Sequence, residues 1–279
     1  MHSVDLNDEF TRRIEGCEAQ YFSDRIAALA LEEGNPSGAG ILSCGGALAL
    51  RVSTIHDPMH NRLMMPGVVS NDDVIAGVEF VHAAGKSCRI DVPPTSNTVE
   101  ILPILSSLGF VHCGFYNGHF GVAESVLERL FDGGLRPPPS LSIRRYATAE
   151  LRQYVECFND GHNIHPDHRQ VIASEFAAIL KSPFARMWGA WIDGQLAGVA
   201  LLLVRGRIGH LASATTRLPF RRLGIHRYLL QSRIKDALTA GCWFVSVHTA
   251  VASASQRNLV RFGFHLAYTK AIWTRAASR

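Results

Sequence analysis

The residues best suited to chemistry lie in one arginine-rich segment that contains a single glycine. It reads Thr215-Thr216-Arg217-Leu218-Pro219-Phe220-Arg221-Arg222-Leu223-Gly224-Ile225-His226 and lies between a predicted strand and a predicted helix. The first amides of a helix have no partner within it, and the helix dipole gives them partial positive charge. A glycine lets backbone approach a phosphate closely, and the arginines add charge. The segment predicts an anion site suited to a pyrophosphate, although a basic loop with a turning glycine gives the same pattern.

Other reactive side chains form no recognised metal or nucleophile pattern. His162, His165 and His168 are separated by spacings that fit no standard zinc site, and Pro166 interrupts them. The six cysteines include no CxxC pair, which argues against a zinc site and against a disulfide scaffold. The sequence therefore predicts no bound metal.

The elements around the segment follow a mixed α/β order. In the second half we predict strands at 141–146, 186–192, 196–204, 208–215, 243–249 and 264–273, and helices at 148–158, 166–180, 225–240 and 253–262. In the first half we predict strands at 46–55, 87–92 and from 110 onward, and helices at 71–84 and 96–108. Gly45-Gly46 predicts a hairpin turn. This order predicts a largely antiparallel sheet flanked by helices.

Two short matches suggest that the halves are copies of one another. Leu108-Gly109-Phe110 parallels Phe262-Gly263-Phe264, and Ala84-Gly85 parallels Ala240-Gly241, at offsets of 154 and 156 residues. Between the halves, three consecutive prolines follow Leu135-Arg136 and cannot extend a helix. We therefore predict two domains, at 1–138 and 139–279.

Composition and charge narrow the class of protein. The chain has 279 residues, 47% hydrophobic and 19% charged, which is enough apolar material for a packed core. The halves differ in charge: 1–138 carries −8 and 139–279 carries +12, so the second half invites an anionic ligand. The longest apolar run is only Leu196 to Val204, and the N-terminus shows no signal peptide, so we expect a cytoplasmic protein with no membrane partner.

The second half resembles the GCN5-related N-acetyltransferase (GNAT) superfamily over about residues 140–275. The spacing Arg-x-x-Gly after a strand, at Arg221 and Gly224, is similar to that family's Arg/Gln-x-x-Gly-x-Gly/Ala pyrophosphate loop, with His226 departing from the last position. Gly263-Phe264 is similar to its turn into the last strand. The resemblance implies a GNAT (acyl-CoA N-acyltransferase) fold in two tandem copies, the first degenerate because its segment 56–67 lacks the loop.

The resemblance also implies which residues bind the cofactor. Acetyl-CoA or another acyl-CoA would serve as the donor substrate. Its expected contacts are Ser213, Ala214, Thr215, Arg217, Arg221, Arg222, Leu223, Gly224, Ile225, His226 and Arg227, with Ser253 and Asn258 for the pantetheine arm and the 3′-phosphate region.

Acyl transfer to an amine needs a base and an acid. His210 and His248 are at or near strand ends beside the expected cofactor, and histidine titrates near neutrality. The family's usual acid, a tyrosine four residues before the late glycine, is replaced by Leu259, which leaves Tyr268 and Tyr228 as candidates.

We therefore predict direct acyl transfer, in a ternary complex, to an amine of a small molecule or a protein. The main alternative is a non-catalytic acyl-CoA-binding sensor, which the leucine at position 259 favours. Donors with longer acyl or aminoacyl groups stay open. A nucleic-acid partner is not expected, because the arginines concentrate at one loop. The acceptor, the acyl length and the role of the first domain are left undecided, and a homodimer stays open.

Overall fold

A computed structural model describes residues 7–55, 57–95, 98–132, 136–146 and 150–276 of the chain. Leu135 of the predicted linker, His56 of the segment expected in place of a cofactor loop, and the predicted starts of the helices at 96 and 148 lie outside these residues. The chain divides into two compact units that alternate along the sequence. The first comprises 1–119, 248–256 and 266–279, and the second comprises 120–247 and 257–265. The domain boundary expected near residue 138 stays a prediction.

The first part of the chain begins with a long helix, α1 (Asp8–Ala30), which the sequence analysis did not predict. Asn7 caps it by accepting a hydrogen bond from the amide of Phe10. The following elements are β1 (Gly40–Cys44), β2 (Ala47–Arg51), β3 (Arg62–Met64), α2 (Asn71–His82), β4 (Cys88–Val92), α3 (Thr98–Ser107), β5 (Val111–Val122) and α4 (Ala123–Asp132). The predicted turn at Gly45-Gly46 joins β1 to β2, with Gly45 at φ +52°.

The later elements match the predicted order closely. They are β6 (Ser142–Arg145), α5 (Leu151–His162), α6 (Arg169–Ile179), β7 (Ala185–Ile192), β8 (Gln195–Arg205), β9 (Ile208–Thr216), α7 (Ile225–Thr239), β10 (Phe244–Ala250), α8 (Ala254–Arg261) and β11 (His265–Arg275). Short 3-10 turns at Pro166–His168 and Leu218–Phe220 precede α6 and α7.

Each unit has its own series of paired strands. In the first unit the strand order is β1-β2-β3-β4-β11-β5, with β3 and β4 parallel and β4 and β11 antiparallel. In the second unit the order is β10-β9-β8-β7-β6, with β9 and β10 parallel and the other pairs antiparallel. The mixed α/β class with a largely antiparallel sheet is therefore confirmed.

Two runs of elements along the chain repeat one plan. The run β1-β2-β3-α2-β4-α3-β5 corresponds to β7-β8-β9-α7-β10-α8-β11, and the parallel pairs β3–β4 and β9–β10 lie at the same place in each run. The glycines singled out as matching anchors also adopt the same backbone conformation. Gly109 has φ +77° and Gly263 has φ +86°, a region that glycine enters without strain. The order and conformation agree with an internal duplication.

The core of the second unit holds the site-bearing helix in place. Apolar residues of α7 pack with those of α4, β8, β9 and β10 in one buried cluster: Ala123, Val126, Leu130, Leu202, Leu211, Leu230, Ile234, Ala237, Val245, Leu259 and Phe264. The start of α7 is fixed separately, because Ile225 and Leu229 are buried in a neighbouring cluster with Ala197 and Ala200. Burying such side chains contributes about 1.5–3 kcal/mol each, so the first turn of α7 is firmly positioned.

Candidate functional site

An irregularity in β9 opens the backbone just before the predicted loop. Val199 of β8 faces Thr215, and Leu201 faces Ala212, so Ser213 and Ala214 share one partner position on β8. Ser213 has φ +49°. Such a bulge takes the extra residue out of the regular ladder. Two of the predicted cofactor contacts, Ser213 and Ala214, therefore lie at a break in the strand.

The loop itself turns through two residues in the left-handed region. Arg222 has φ +68° and Gly224 has φ +76°. Gly224 is the N-cap of α7, and no side chain in the described chain caps this helix. Since uncapped first-turn amides carry partial positive charge, the start of α7 offers donors to an anion.

A cavity of about 600 Å³ opens at this point within the second unit. Its lining combines the start of α7 with a group of cationic side chains. The lining residues are Arg129, Thr216, Phe220, Arg221, Arg222, Gly224, Ile225, His226, Arg227, Asn258, Arg261 and Phe262. Five arginines around one helix start make a strongly positive cavity, which suits a ligand with several phosphate charges.

Several loop arginines also hold the backbone around the cavity. Arg221 donates from Nε to the Thr216 carbonyl at 3.2 Å, and Arg227 donates from Nε to the Leu130 carbonyl at 2.9 Å. Arg217 donates to the Leu196 carbonyl and pairs with Asp160 at 3.4 Å. Arg217 therefore has a structural role, and it is absent from the cavity lining.

His226 is a neutral side chain among these cations. Its ring is half-buried, and burial, reinforced by the charge of Arg233, lowers its pKa to about 4. Its Nδ1 is buried and has no hydrogen-bond partner among the described residues. At neutral pH this side chain adds no charge to the cavity, in contrast to the arginines beside it.

The other predicted contacts are divided between the units. Asn258 lines the cavity, whereas Leu223 is exposed and Thr215 is buried beneath Gly161 of α5. Ser253 belongs to the first unit, where its hydroxyl accepts a hydrogen bond from the Gln256 amide and caps α8.

Of the predicted catalytic residues, His210 lies in the second unit with the cavity. It is on β9, the strand that leads into the loop, and its Nδ1 lies 3.0 Å from the Ser246 hydroxyl on β10. Both side chains are buried. The hydroxyl fixes the orientation of the imidazole and influences which tautomer it adopts.

His248 and Tyr268 lie together in the first unit. His248 Nε2 is 2.8 Å from the Tyr268 hydroxyl and 3.3 Å from Glu15 Oε1. The Tyr268 hydroxyl donates to Glu15 Oε1 at 2.5 Å. Burial, with the charge of Glu15, raises the pKa of Tyr268 well above its ordinary value. This arrangement keeps Tyr268 protonated at any physiological pH.

These side chains belong to a buried charge network that the sequence analysis missed. Glu15, Glu18 and His248 place their ligand atoms as a metal site would. However, Lys270 Nζ lies 3.0 Å from Glu15 Oε1, 2.5 Å from Glu18 Oε2 and 3.2 Å from Asp91 Oδ2. The ammonium is thus the cation that these carboxylates share. Arg62 and Arg89 complete the network at Asp91.

The helix of the first unit that corresponds to α7 is capped by its own side chains. Ser70 and Asp73 form a reciprocal capping box at the start of α2. The Ser70 amide and hydroxyl both donate to the Asp73 carboxylate, which lowers the pKa of Asp73. A carboxylate therefore occupies the helix start where the second unit has no side-chain cap, and it would repel a phosphate.

Comparison with known proteins agrees with this geometry. A family model described as the acetyltransferase (GNAT) family matches residues 148–264. Residues 148–264 form a GNAT domain. The region contains α7, its loop and most of the cavity lining, whereas Arg129 precedes it. The resemblance drawn from the Arg-x-x-Gly spacing is confirmed, and its departure at His226 remains a feature of this GNAT domain.

Solved structures extend the fold likeness to both halves. A conserved protein of unknown function from Staphylococcus epidermidis ATCC 12228 has a TM-score of 0.64 at 9% identity, covering 90% of this chain and 100% of its own. A GCN5-related N-acetyltransferase from Kribbella flavida has a TM-score of 0.63 at 12% identity, covering 95% of each chain. A tandem GNAT protein from the clavulanic acid biosynthesis pathway has a TM-score of 0.60 at 13% identity, covering 99% and 98%. The tandem GNAT fold is thus confirmed.

Two further searches found nothing. No curated protein matches the chain in sequence. No helix within the described ranges has both the length and the apolar character needed to cross a bilayer.

Proposed function

We propose that the protein transfers an acyl group from acyl-CoA, in the first instance acetyl-CoA, to an amine of a small molecule or a protein. The observation that carries this proposal is the cavity at Gly224, where the uncapped start of α7 meets five arginines. Acyl-CoA carries a diphosphate and a 3′-phosphate, so its charge complements this lining. The family match over the same residues supports the same donor.

The proposed reaction is a direct transfer in a ternary complex. The amine nitrogen forms a bond to the thioester carbon, and the carbon–sulfur bond breaks. The proton lost by the amine passes to a base, and the CoA thiolate takes up a proton. Backbone amides at the bulge of β9, near Ser213, would stabilise the negative charge on the thioester oxygen.

We propose His210 as the base, because it is on the strand that leads into the loop and its imidazole is oriented by Ser246. His248 and Tyr268 remain candidates for proton transfer, as a hydrogen-bonded pair. Their contacts with Glu15 favour a structural role in the first unit.

The alternative is an acyl-CoA sensor without catalytic activity. It is favoured by Leu259, which stands where the family's acid is expected and is only 1% exposed in the apolar core. A buried leucine cannot protonate the leaving thiolate. Because a thiolate leaves readily even unprotonated, this observation alone does not exclude transfer.

The first test is thermal unfolding with saturating acetyl-CoA. At a ligand concentration one hundred times the Kd, binding adds about 2.7 kcal/mol to stability, a rise in Tm of roughly 5–10 °C. We expect this rise in the wild type, its loss in Gly224→Glu and a smaller rise in Arg222→Gln. The Arg222→Gln variant leaves Gly224 in place, so it tests the charge of the loop without changing the glycine. If acetyl-CoA does not raise the Tm of the wild type, acetyl-CoA is rejected as the donor.

A panel of amines then separates transfer from sensing. Release of free CoA thiol that depends on an added amine supports the enzyme. Tight binding of acetyl-CoA without thiol release from any amine supports the sensor. His210→Gln should leave the acetyl-CoA-induced rise in Tm intact and lower thiol release, if His210 is the base.

A further inference from the structure

Two cations of the cavity come from outside both the predicted loop and α7. Arg261 is the last residue of α8, and Arg129 comes from α4, which precedes the GNAT domain in sequence. Both side chains are exposed, and both line the cavity together with Asn258 and Phe262. They add a second group of positive charge to the cavity, supplied by elements other than the loop.

The position of Arg129 is fixed by the packing of α4. Val126 and Leu130, on adjacent turns of α4, are buried against α7. The Leu130 carbonyl accepts hydrogen bonds from Arg227 and from Gln231, the latter at 2.7 Å. The last turn of α4 is thereby tied to the first two turns of α7, so Arg129 has a constant place relative to the loop.

The path of the Arg129 side chain depends on Gly263. A methyl group built on Gly263 would lie 2.6 Å from Arg129 Cδ, which is too close for any real contact. Gly263 also has φ +86°, a backbone conformation that favours glycine. The absence of a side chain at position 263 lets the arginine pass over the turn into the cavity.

The arginines of the loop and of α7 also bind the backbone around the cavity. Arg221, in the loop, and Arg227, in the first turn of α7, each donate to backbone carbonyls while they line the cavity. Together with the start of α7 and Arg222 they provide the donors for a diphosphate. Acyl-CoA has a further phosphate, on the ribose 3′-oxygen, and this dianion needs cations displaced from the diphosphate site.

We infer that Arg129, together with Arg261, binds the 3′-phosphate of acyl-CoA and selects CoA over its 3′-dephospho form. This inference rests on the proposed function and assigns a specificity role to α4, outside the family domain. An arginine can donate two hydrogen bonds to one phosphate, so each is a strong partner even at an exposed site.

The test compares two ligands that differ only in the 3′-phosphate. Isothermal titration of the full chain with CoA and with 3′-dephospho-CoA gives a selectivity ratio. We expect the wild type to prefer CoA. Arg129→Gln should weaken CoA binding roughly five- to twentyfold, as for the loss of one charged hydrogen-bonding partner, and leave 3′-dephospho-CoA binding unchanged. Arg261→Gln should act in the same direction.

The matched control is Arg152→Gln on α5, whose side chain is 92% exposed in the second unit and is not part of the cavity lining. It should leave both affinities unchanged. Equal weakening of both ligands by Arg129→Gln would overturn the inference and assign Arg129 to the diphosphate. Unchanged binding of CoA in that variant would overturn it as well.

These outcomes separate the inference from the proposed function. If the wild type binds both ligands equally, acyl-CoA binding stands and the 3′-phosphate assignment fails. If the wild type binds neither ligand, both fail. Thermal unfolding of each variant without ligand verifies the fold, and no change is expected for exposed arginines.

Discussion

Lys270 Nζ lies 3.0 Å from Glu15 Oε1, and neither side chain has any solvent exposure. Glu15 is on α1, near the start of the chain, and Lys270 is on β11, its last strand. Burial alone would raise the pKa of Glu15, but Lys270 and His248 outweigh it and hold this pKa below its ordinary value. The charge balance inside the first unit therefore depends on the final strand.

Replacing this lysine should destabilise the protein strongly. Lys270→Met leaves Glu15, Glu18 and Asp91 buried without their shared cation. Breaking a buried ion pair by removal of one partner costs about 3–5 kcal/mol. Urea unfolding at pH 7 measures the loss, with Lys181→Met, at an exposed position, as the control. A loss of under about 1 kcal/mol would show that the carboxylates find another partner.

The same variant carries a pH signature. The pKa values of Glu15, Glu18 and Asp91 are all lowered, so their stabilisation is present above the unfolded values of 4.5 and 3.8 and is lost as pH falls below them. The pKa of Lys270 is raised, so its contribution is lost only in strong alkali. In Lys270→Met the carboxyl pKa values rise, and the difference from the wild type should shrink between pH 7 and pH 4.

The isolated first half should fail to fold. A fragment of residues 1–138 lacks β11, which pairs with β4 from Ala271↔Val92 to Arg275↔Cys88, and it lacks Lys270. Without them an edge of β4 has no partner strand, and the buried carboxylates of Glu15 and Glu18 lose the ammonium that they share. We expect circular dichroism and urea unfolding to show no cooperative transition for the fragment. A fragment with a cooperative transition as stable as the full chain would contradict this.

His226 should not titrate in the physiological range. Burial and the charge of Arg233 lower its pKa to about 4, so its imidazole stays neutral from pH 5.5 to 8. The His226 ring-proton resonance, assigned by its absence in His226→Gln, should keep a constant chemical shift over that range. A midpoint between pH 6 and 7 would place the ring in solvent instead. The resonance of His265, at an exposed position, serves as the reference.

The contact between Gly161 and Thr215 should tolerate no added carbon. A methyl group at Gly161 would lie 1.9 Å from Thr215 Oγ1, so α5 would have to move away from β9. We expect Gly161→Ala to lower the free energy of unfolding by about 1–3 kcal/mol. The control is Gly16→Ala on α1, where an added carbon meets nothing within 4 Å and helix propensity favours alanine. Equal stability of the two variants would contradict the close approach.

The protein should bind one acyl-CoA per chain. The start of α2 is occupied by the Asp73 carboxylate and Ser70, whereas the start of α7 has no side-chain cap. Titration calorimetry should give a stoichiometry near one, and Gly224→Glu should remove all binding. A residual equivalent of binding in that variant would place a second site in the first unit.

Local patterns carried most of what the sequence predicted. The loop could be predicted from Gly224 and the arginines near it, because these residues lie within a dozen positions of one another. Helix α1 escaped prediction because its buried face carries charged residues such as Glu15, Glu18 and Arg25, which hide the apolar periodicity. The burial of Glu15 and Glu18 is explained only by β11, because its Lys270 pairs with both carboxylates. Arg129 lies 92 residues before Arg221, and only the packing of α4 on α7 brings it to the cavity.

The placement of Lys270 has a consequence for synthesis on the ribosome. Residues are added at about 5–20 per second, so the roughly 170 residues between the end of β4 and the start of β11 take about 9–35 s. During that time Glu15 and Glu18 have been made, but the lysine that they share, Lys270, has not. The carboxylates must stay hydrated until β11 emerges, because burying them earlier would be costly. The first unit therefore completes its core only after the second unit has been synthesised.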